Sequence, residues 1–445
     1  ISMRRSVLHD RPDQLFDGAR VHRSVYLDHA LFALERRRLF GRTWQYIGHE
    51  SQLPQAGDYL SADIAGQPVL LLRRADGSLG AVLNRCAHKG STLVTDRQGC
   101  AGRTLRCPYH GWSYRLDGSL IGVPNKDDYA QAAFDSCDAS RGLTPVATAV
   151  HRGFVFVRVS ARGPAFEDQM APLLSVIDLI ADRSPSGRLQ VNGPCLRMKL
   201  RCNWKLYLEN INDTLHVLTA HASAAGAAES VWSEQPSHAP KPMAIEQLLP
   251  FANGHAFFER MGGRVLPGGH SILGTQASIH SAYGDLGEYS KALAQAHGPE
   301  RAAQVLAFTP QNVIFYPGVA MKASPLTIRV LRPLAADQTL LEVWALAPAD
   351  GPTTLHRRGT TYNRLVFSPM SVVAHDDIHL WESAQRALAA DGNEWVSLQR
   401  GWPGTEAADG PGPEGRAISG TDEALMRNQY SAWRYWMSLP DDQRS

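Results

Sequence analysis

Cysteine is scarce in this chain, with six among 445 residues. That is too few for a disulfide framework in a protein of this length, so a reducing, cytoplasmic setting is expected. No apolar run is long enough to span a bilayer as a helix. Net charge is only +2 at pH 7, and without an excess of one sign neither nucleic acid nor an anionic membrane is indicated as partner. No internal repeat is present, which sets repeat architectures aside. The opening ISMRRSVLHDRP lacks the apolar segment of a secretory signal, and its first residues read as an expression scar. What remains is a globular composition, 44% apolar and 20% charged, on a chain too long for one core. Two or three domains follow.

Residues 1–20 read as a polar arm. Asp28 is placed to cap a helix through Ala30, Leu31, Leu34 and Leu39, with Arg36 to Arg38 at the end that favours cations. From Trp44 to Val159 the texture is short β-rich runs, and Asp-Gly pairs at 76–77 and 117–118 signal hairpins. Residues 164–180 return to a helical pattern, and 191–201 reads as a strand. Residues 222–310, rich in Ala, Gly and Ser, are expected to form loops and helices. Three consecutive strands are predicted at 312–323, 326–334 and 339–348, then a helix over 371–390, a loop over 401–415 and a closing amphipathic helix over 421–439.

Chemistry-bearing residues cluster twice. Within the β-rich stretch, Cys86-x-His88 is followed by Cys107-x2-His110. Two thiolates and two imidazoles of this kind suit zinc or an iron–sulfur cluster. Cys100 lies near but lacks a histidine at matching spacing; Cys137, Cys195 and Cys202 read as small buried side chains. Later, NWKLYLENINDTLHVLTAH (203–221) carries Glu209, Asp213, His216 and His221. On one helix the first three share a face, whereas His221 needs a bulge or a helix end to join His216 on a metal.

The order Cys-x-His…Cys-x2-His, in CAHKG and CPYHGWSY, resembles the Rieske [2Fe–2S] pattern, with Lys89 where relatives usually carry arginine. Followed by NWKxxxEN-x2-D-x2-H-x4-H, it resembles the catalytic alpha subunit of Rieske non-heme iron aromatic-ring-hydroxylating oxygenases, over nearly the whole chain. The resemblance implies an α+β fold: an all-β Rieske domain over 43–162 and a helix-over-antiparallel-sheet (helix-grip, START-like) catalytic domain over 163–445, with residues 1–42 an arm and helix packing on the latter. It implies that Cys86 and Cys107 hold one iron of the cluster and His88 and His110 the other. His216 and His221 would bind a mononuclear Fe(II). In HDDIHLWESAQ (375–385), Asp377, five residues before Glu382, would complete the triad, with Asp376 as the alternative. Asp213 would bridge His216 and His110 of a neighbouring subunit.

The same resemblance implies electrons from NAD(P)H through a reductase, with or without a ferredoxin. It also implies O₂ as cosubstrate, an aromatic substrate, and a trimer of this chain alone or with a small β subunit. Ring dihydroxylation or hydroxylation is expected, with monooxygenation or demethylation as the alternative. Two readings from other classes are a Rieske electron carrier without mononuclear iron and a zinc-stabilised interaction protein. Pocket candidates are Phe367 and Val373, Leu215, Val217 and Leu218, and Val313 and Phe315. Glu209 and Asn210 read as support for the helix or the site. Arg329, alternating with Ile328 and Val330, reads first as an outward-facing surface arginine, and second as an anchor for a substrate carboxylate.

Overall fold

Asp-Gly turns shape the first of two units, residues 40–166. Gly77 and Gly118 take φ of 84° and 92°, the left-handed region that glycine enters without steric cost. They close the hairpins Gln67–Arg73/Leu79–Leu83 and Ser113–Arg115/Leu120–Gly122. The first hairpin lies inside a seven-stranded antiparallel sheet, the second in a three-stranded one completed by Thr104–Arg106. The run Val69–Leu70–Leu71–Leu72 is apolar at every position because both sheet faces are covered. Leu70 and Leu72 pack with Leu105, Trp112 and Tyr114, while Val69 and Leu71 pack with Ile47, Val155 and Val157. Each such side chain contributes about 1.5–3 kcal/mol through burial.

This is a computed structural model; it describes residues 11–132, 139–236, 238–279, 287–404, 412 and 414–441. Cys137 lies outside the described residues, as does part of the loop expected over 401–415. The second unit combines residues 1–39 with 167–445. Its centre is a nine-stranded antiparallel sheet whose longest members are Leu326–Ala335 and Gln338–Pro348. The α+β class is borne out, with three differences in detail. The stretch 312–323 is two strands, Asn312–Phe315 and Val319–Ala323, interrupted at Pro317, which has no N–H for a ladder. The stretch 191–201 also divides. Leu189–Val191 and Leu196–Leu200 pair successive parts of Gln338–Pro348, with Asn192, Gly193, Pro194 and Cys195 between them. Residues 222–310 contribute two sheet strands besides helices, Gly263–Val265 and Ser271–Leu273; three residues each is too short for a periodic signal.

Helices tie the termini to this unit. The Asp28 carboxylate accepts from Ala30 N and Leu31 N and caps His29–Glu35. Glu35, fully buried, then accepts from Lys205 Nζ at 2.5 Å, Trp204 Nε1 at 2.9 Å and Trp433 Nε1 at 2.7 Å. One carboxylate thus joins the amino-terminal helix, the Trp204–Ile211 helix and the last helix, Ala424–Ser438. Burial pushes the Lys205 pKa down, against the pull of Glu35. A buried pair of this kind is costly to break from one side.

Candidate metal centres

In the first unit, two loops of the same construction present the Cys/His quartet. Cys86 N donates to Ser91 O at 2.8 Å and Gly90 N to Cys86 O at 3.0 Å; Cys107 N donates to Trp112 O at 2.8 Å and Gly111 N to Cys107 O at 3.0 Å. Gly90 and Gly111 both sit at positive φ, 75° and 72°, so each loop can turn back on its own cysteine. Both thiols are buried, while His88 is half-buried and His110 exposed. The imidazoles stand 4.8 Å apart between ring centroids, and His88 stacks on Trp112 at the same distance. Tyr114 Oη lies 3.1 Å from Cys86 Sγ. Burial pushes the Cys107 thiol up, but the N–H groups of Tyr109 and His110 outweigh it and hold its pKa below the ordinary value.

Four donors on one zinc lie within about 4 Å of each other. The quartet does not converge on a single point that tightly; among the described residues only His216, His221 and Asp377 form a group with all ligating atoms within 4.8 Å. His88 Nδ1 is buried with no hydrogen-bond partner among the described residues, as expected of a nitrogen reserved for a metal. Two buried sulfurs and two outer imidazoles therefore fit a diiron cluster with split ligation better than a structural zinc.

The second centre forms where a helix breaks. Asn203 caps Trp204–Ile211 through Oδ1, which accepts from Lys205 N at 3.1 Å. The chain leaves the helix at Asn212 and re-enters a short one, His216–Ala220, with His221 at its end. Glu209, Asp213 and His216 consequently do not share one helix face. Glu209 instead accepts from the Tyr26 hydroxyl at 2.8 Å and from the Tyr430 hydroxyl, and burial pushes its pKa up to about 7. The break turns both imidazoles inward: His216 Nε2 and His221 Nε2 lie 3.8 and 3.4 Å from Asp377 Oδ1.

The far nitrogen of each ring meets another carboxylate. His216 Nδ1 is 3.1 Å from Asp213 Oδ2, and His221 Nδ1 is 3.3 Å from Asp376 Oδ2. Partners on the far nitrogens fix tautomer and ring orientation toward a metal. Asp376 is thereby occupied with His221, and Asp377 is the carboxylate that faces both Nε2 atoms. Asp377 Oδ1 is in turn 3.1 Å from Asn210 Nδ2. Both aspartates come from the helix Val372–Leu388, started by the Ser371 hydroxyl on Ala374 N. Glu382, on the same helix, is turned away to Arg201, 2.9 Å distant. Burial pushes the His221 pKa down, but Asp377 and Asp376 outweigh it and leave it raised. Two nitrogens and one carboxylate on one side of a point suit a mononuclear iron.

Arg400 is a participant that no local pattern announces. Its Nη2 donates to Asp213 Oδ1, while its backbone N donates to Glu423 Oε2 at 2.8 Å. Burial raises the Asp213 pKa, but His216 and Arg400 outweigh it and leave it lowered.

Above the sheet, the triad opens on a cavity with about 760 Å³ of empty space, open solvent at its mouth included. Phe367, Val373 and Val217 line it; Leu215, Leu218, Val313 and Phe315 do not. Strand alternation explains the last two, since their neighbour Asn312 takes the cavity side. Met198, Leu341, Asn312 and Leu273 share that side with Arg329, through the pairs Met198↔Leu341 and Leu273↔Asn312. Arg329 is thus not a surface arginine. It is 2% exposed and lines the cavity, because both faces of its strand are covered and no outward side exists.

A thiolate–imidazole pair of loops on a β module and a two-histidine, one-carboxylate centre on an antiparallel α+β unit define a two-centre redox protein. The Rieske [2Fe-2S] domain family matches residues 43–135, and the ring hydroxylating alpha subunit (catalytic domain) family matches residues 190–439. The chain belongs to the ring-hydroxylating alpha-subunit family and is a Rieske-type aromatic-ring oxygenase. It is similar to the alpha subunit of toluate 1,2-dioxygenase from Pseudomonas putida, 27% identical over 94% of this chain and 91% of that protein. It is also similar to biphenyl dioxygenase subunit alpha from Metapseudomonas furukawaii, 26% identical over 94% and 90%. Naphthalene 1,2-dioxygenase with indole in its active site shares the fold, with a TM-score of 0.77 over 97% of this chain and 95% of that one, at 24% identity. Among the described residues no helix is long and apolar enough to cross a membrane.

Proposed function

We propose that this chain is the terminal oxygenase of a multicomponent system that inserts oxygen from O₂ into an aromatic ring. Electrons come from NAD(P)H through a reductase, with or without a ferredoxin. The observation that carries the reading is the set His216, His221 and Asp377, with both Nε2 atoms turned to one carboxylate at the wall of an apolar cavity. In this reading Cys86, His88, Cys107 and His110 hold the [2Fe-2S] cluster, and His216, His221 and Asp377 hold Fe(II). Together the two groups would supply single electrons and O₂ activation beside the substrate.

The chain's own residues supply position. Asp213 and Asp376 hold the two imidazoles by their far nitrogens, so both rings keep their Nε2 lone pairs on one point. Val217, Phe367, Val373 and Trp381 give the cavity an apolar lining that admits a flat ring and excludes bulk water. Asp213, which also accepts from Arg400, is assigned the bridge to His110 of a second copy of the chain, in a trimer formed alone or with a small β subunit. A carboxylate between two imidazoles orients both and gives electrons a short polar route.

Toluate is an acid and biphenyl a neutral hydrocarbon, and the relatives named for them are about equally similar to this chain. Kinship therefore leaves the substrate's charge open. The test is metal and sulfide analysis with oxygen uptake. About three irons and two acid-labile sulfides per chain are expected, with O₂ consumption that a surrogate reductase supports only when an aromatic compound is present. Two irons per chain and no aromatic-dependent uptake would make the protein an electron carrier instead.

A further inference from the structure

The buried arginines of the second unit fall into two sets. Two have carboxylate partners, whereas Arg183 and Arg329 meet neutral oxygens and each leave Nε without an acceptor among the described residues; of these two, Arg329 is the one that lines the cavity beside the triad. Arg332 pairs with Glu342, Arg427 with Asp422, and Arg183 donates to the Val305 and Phe308 carbonyls. Arg329 has no carboxylate partner among the described residues. Its Nη2 donates to the neutral Asn312 Oδ1, its Cζ lies 4.9 Å from the Phe367 ring centroid, and its Nε is buried with no acceptor among the described residues. A guanidinium cannot shed its proton, and a buried charge without a counter-charge is costly. The cost is removed when the counter-charge arrives with a ligand.

The surroundings narrow what that ligand is. Lys322, the other buried base on this sheet face, spends its amine on Ser278 Oγ at 3.1 Å and Gln311 Oε1 at 2.9 Å. Burial, reinforced by the Arg329 charge, pushes its pKa well down, and Lys322 is not among the residues lining the cavity, so the guanidinium at the cavity wall is that of Arg329. Two carboxylates line the cavity: Asp377 faces both imidazoles of the triad, and Asp213 is engaged by His216 and Arg400. One permanent charge calls for a monoanion, and the planar guanidinium edge matches a carboxylate better than a tetrahedral group. Most of the remaining wall, including Met198, Leu341, Tyr362, Val366 and Trp381, is apolar or aromatic, with Asn210, Thr214 and Gln311 its neutral polar members.

Resting on the aromatic-ring reading above, we propose that Arg329 is the carboxylate receptor of the substrate cavity, and that the substrate is an aromatic carboxylic acid. Its carboxylate is held at the Nε edge of Arg329 and its ring lies against the apolar wall. Asn312 keeps the guanidinium turned to the cavity from the other edge.

The experiment measures equilibrium binding of benzoate and of its neutral isostere benzamide, and of the 1-naphthoate and 1-naphthamide pair, to the anaerobic, iron-loaded enzyme by calorimetry. Oxygen uptake is recorded alongside. The acid should bind about tenfold to hundredfold tighter than its amide, the range for a hydrogen bond to a charged group. Arg329→Met should abolish the difference by weakening the acid alone, and Arg329→Lys should keep part of it. Equal binding of acid and amide by the unaltered enzyme overturns the proposal without need of a variant; so does an Arg329→Met enzyme that loses both ligands alike. Cyclohexanecarboxylate separates this from the underlying reading. If it matches benzoate in binding and in eliciting oxygen uptake, the aromatic-ring reading fails while the role of Arg329 stands.

Discussion

The two metal centres are built on opposite plans. The Cys/His quartet occupies two loops only 25 residues from end to end, Cys86 to His110, and each loop repeats the same pair of backbone hydrogen bonds around a left-handed glycine. The triad instead joins a break after the Trp204–Ile211 helix to a helix more than 150 residues later, and its supporting contacts reach from Tyr26 to Tyr430. Local turns suffice where the ligand must only be exposed at a loop tip. An open iron site beside a cavity needs elements that arrive from different directions, and it depends on long-range contacts for its precision.

That contrast fails or sharpens under mutation. Cys107→Ser should remove the cluster and all turnover, yet leave about one iron per chain at the triad; sulfide analysis with iron counting reads this, and loss of both metals would end the idea that the centres are built independently. Glu35→Leu leaves Lys205 buried without its partner and should cost about 3–5 kcal/mol in urea unfolding of the second unit. The cluster's visible spectrum should be unaffected at low denaturant. Asp213→Asn should keep both metals and reduce oxygen uptake by about a hundredfold, the upper range for a carboxylate that orients a metal-bound histidine; full turnover would remove Asp213 from the electron route.

Glu209 gives a pH test of the long-range assembly. Its folded pKa, raised by burial to about 7 from 4.5, means the native state holds a proton that the unfolded chain releases earlier. The stabilisation is fully present below pH 4.5 and is lost as pH rises through about 7, by no more than about 3 kcal/mol. Glu209→Gln should flatten this slope, so that its stability relative to the unaltered protein rises between pH 5 and pH 8; unchanged slopes would place the proton elsewhere. The smallest effect is expected at a cluster loop. Gly111→Ala forces a side chain into φ 72° with Cβ 3.1 Å from Pro124 Cγ, costing about 1–2 kcal/mol, which thermal melting of the cluster's absorbance would register.

The same contrast governs what could be read in advance. Cys86, His88, Cys107 and His110 stand at short spacings on turns marked by Gly90 and Gly111, so their proximity was written in nearby letters. The strands at 326–334 and 339–348 were marked by long runs of apolar and β-branched residues, whereas the α+β class came with the family resemblance. The three-residue strands at 263–265 and 271–273 carried no pattern of their own and exist because sheet neighbours pair with them. Asp377 was reachable only through a family resemblance, since an acidic pair near a helix start is ordinarily a solvated feature. Arg400 left no signal at all: its partner Asp213 is 187 residues earlier. Arg329 misled for a physical reason. Alternation tells which residues share a face, but not that the second face is also covered, and here it is.

Arg400 also changes where the iron site ends. Its backbone N is held by Glu423, its Nε donates to the Thr421 carbonyl, and its carbonyl accepts from Arg427 on the last helix. The carboxyl-terminal helix thus steers the Asp213 carboxylate, and through it the His216 ring, without contributing a ligand. A chain shortened before residue 424, or carrying a bulky fusion that displaces this helix, would be expected to retain its central sheet and lose turnover, as Asp213→Asn is expected to. For anyone preparing this enzyme, tag placement is a question of activity.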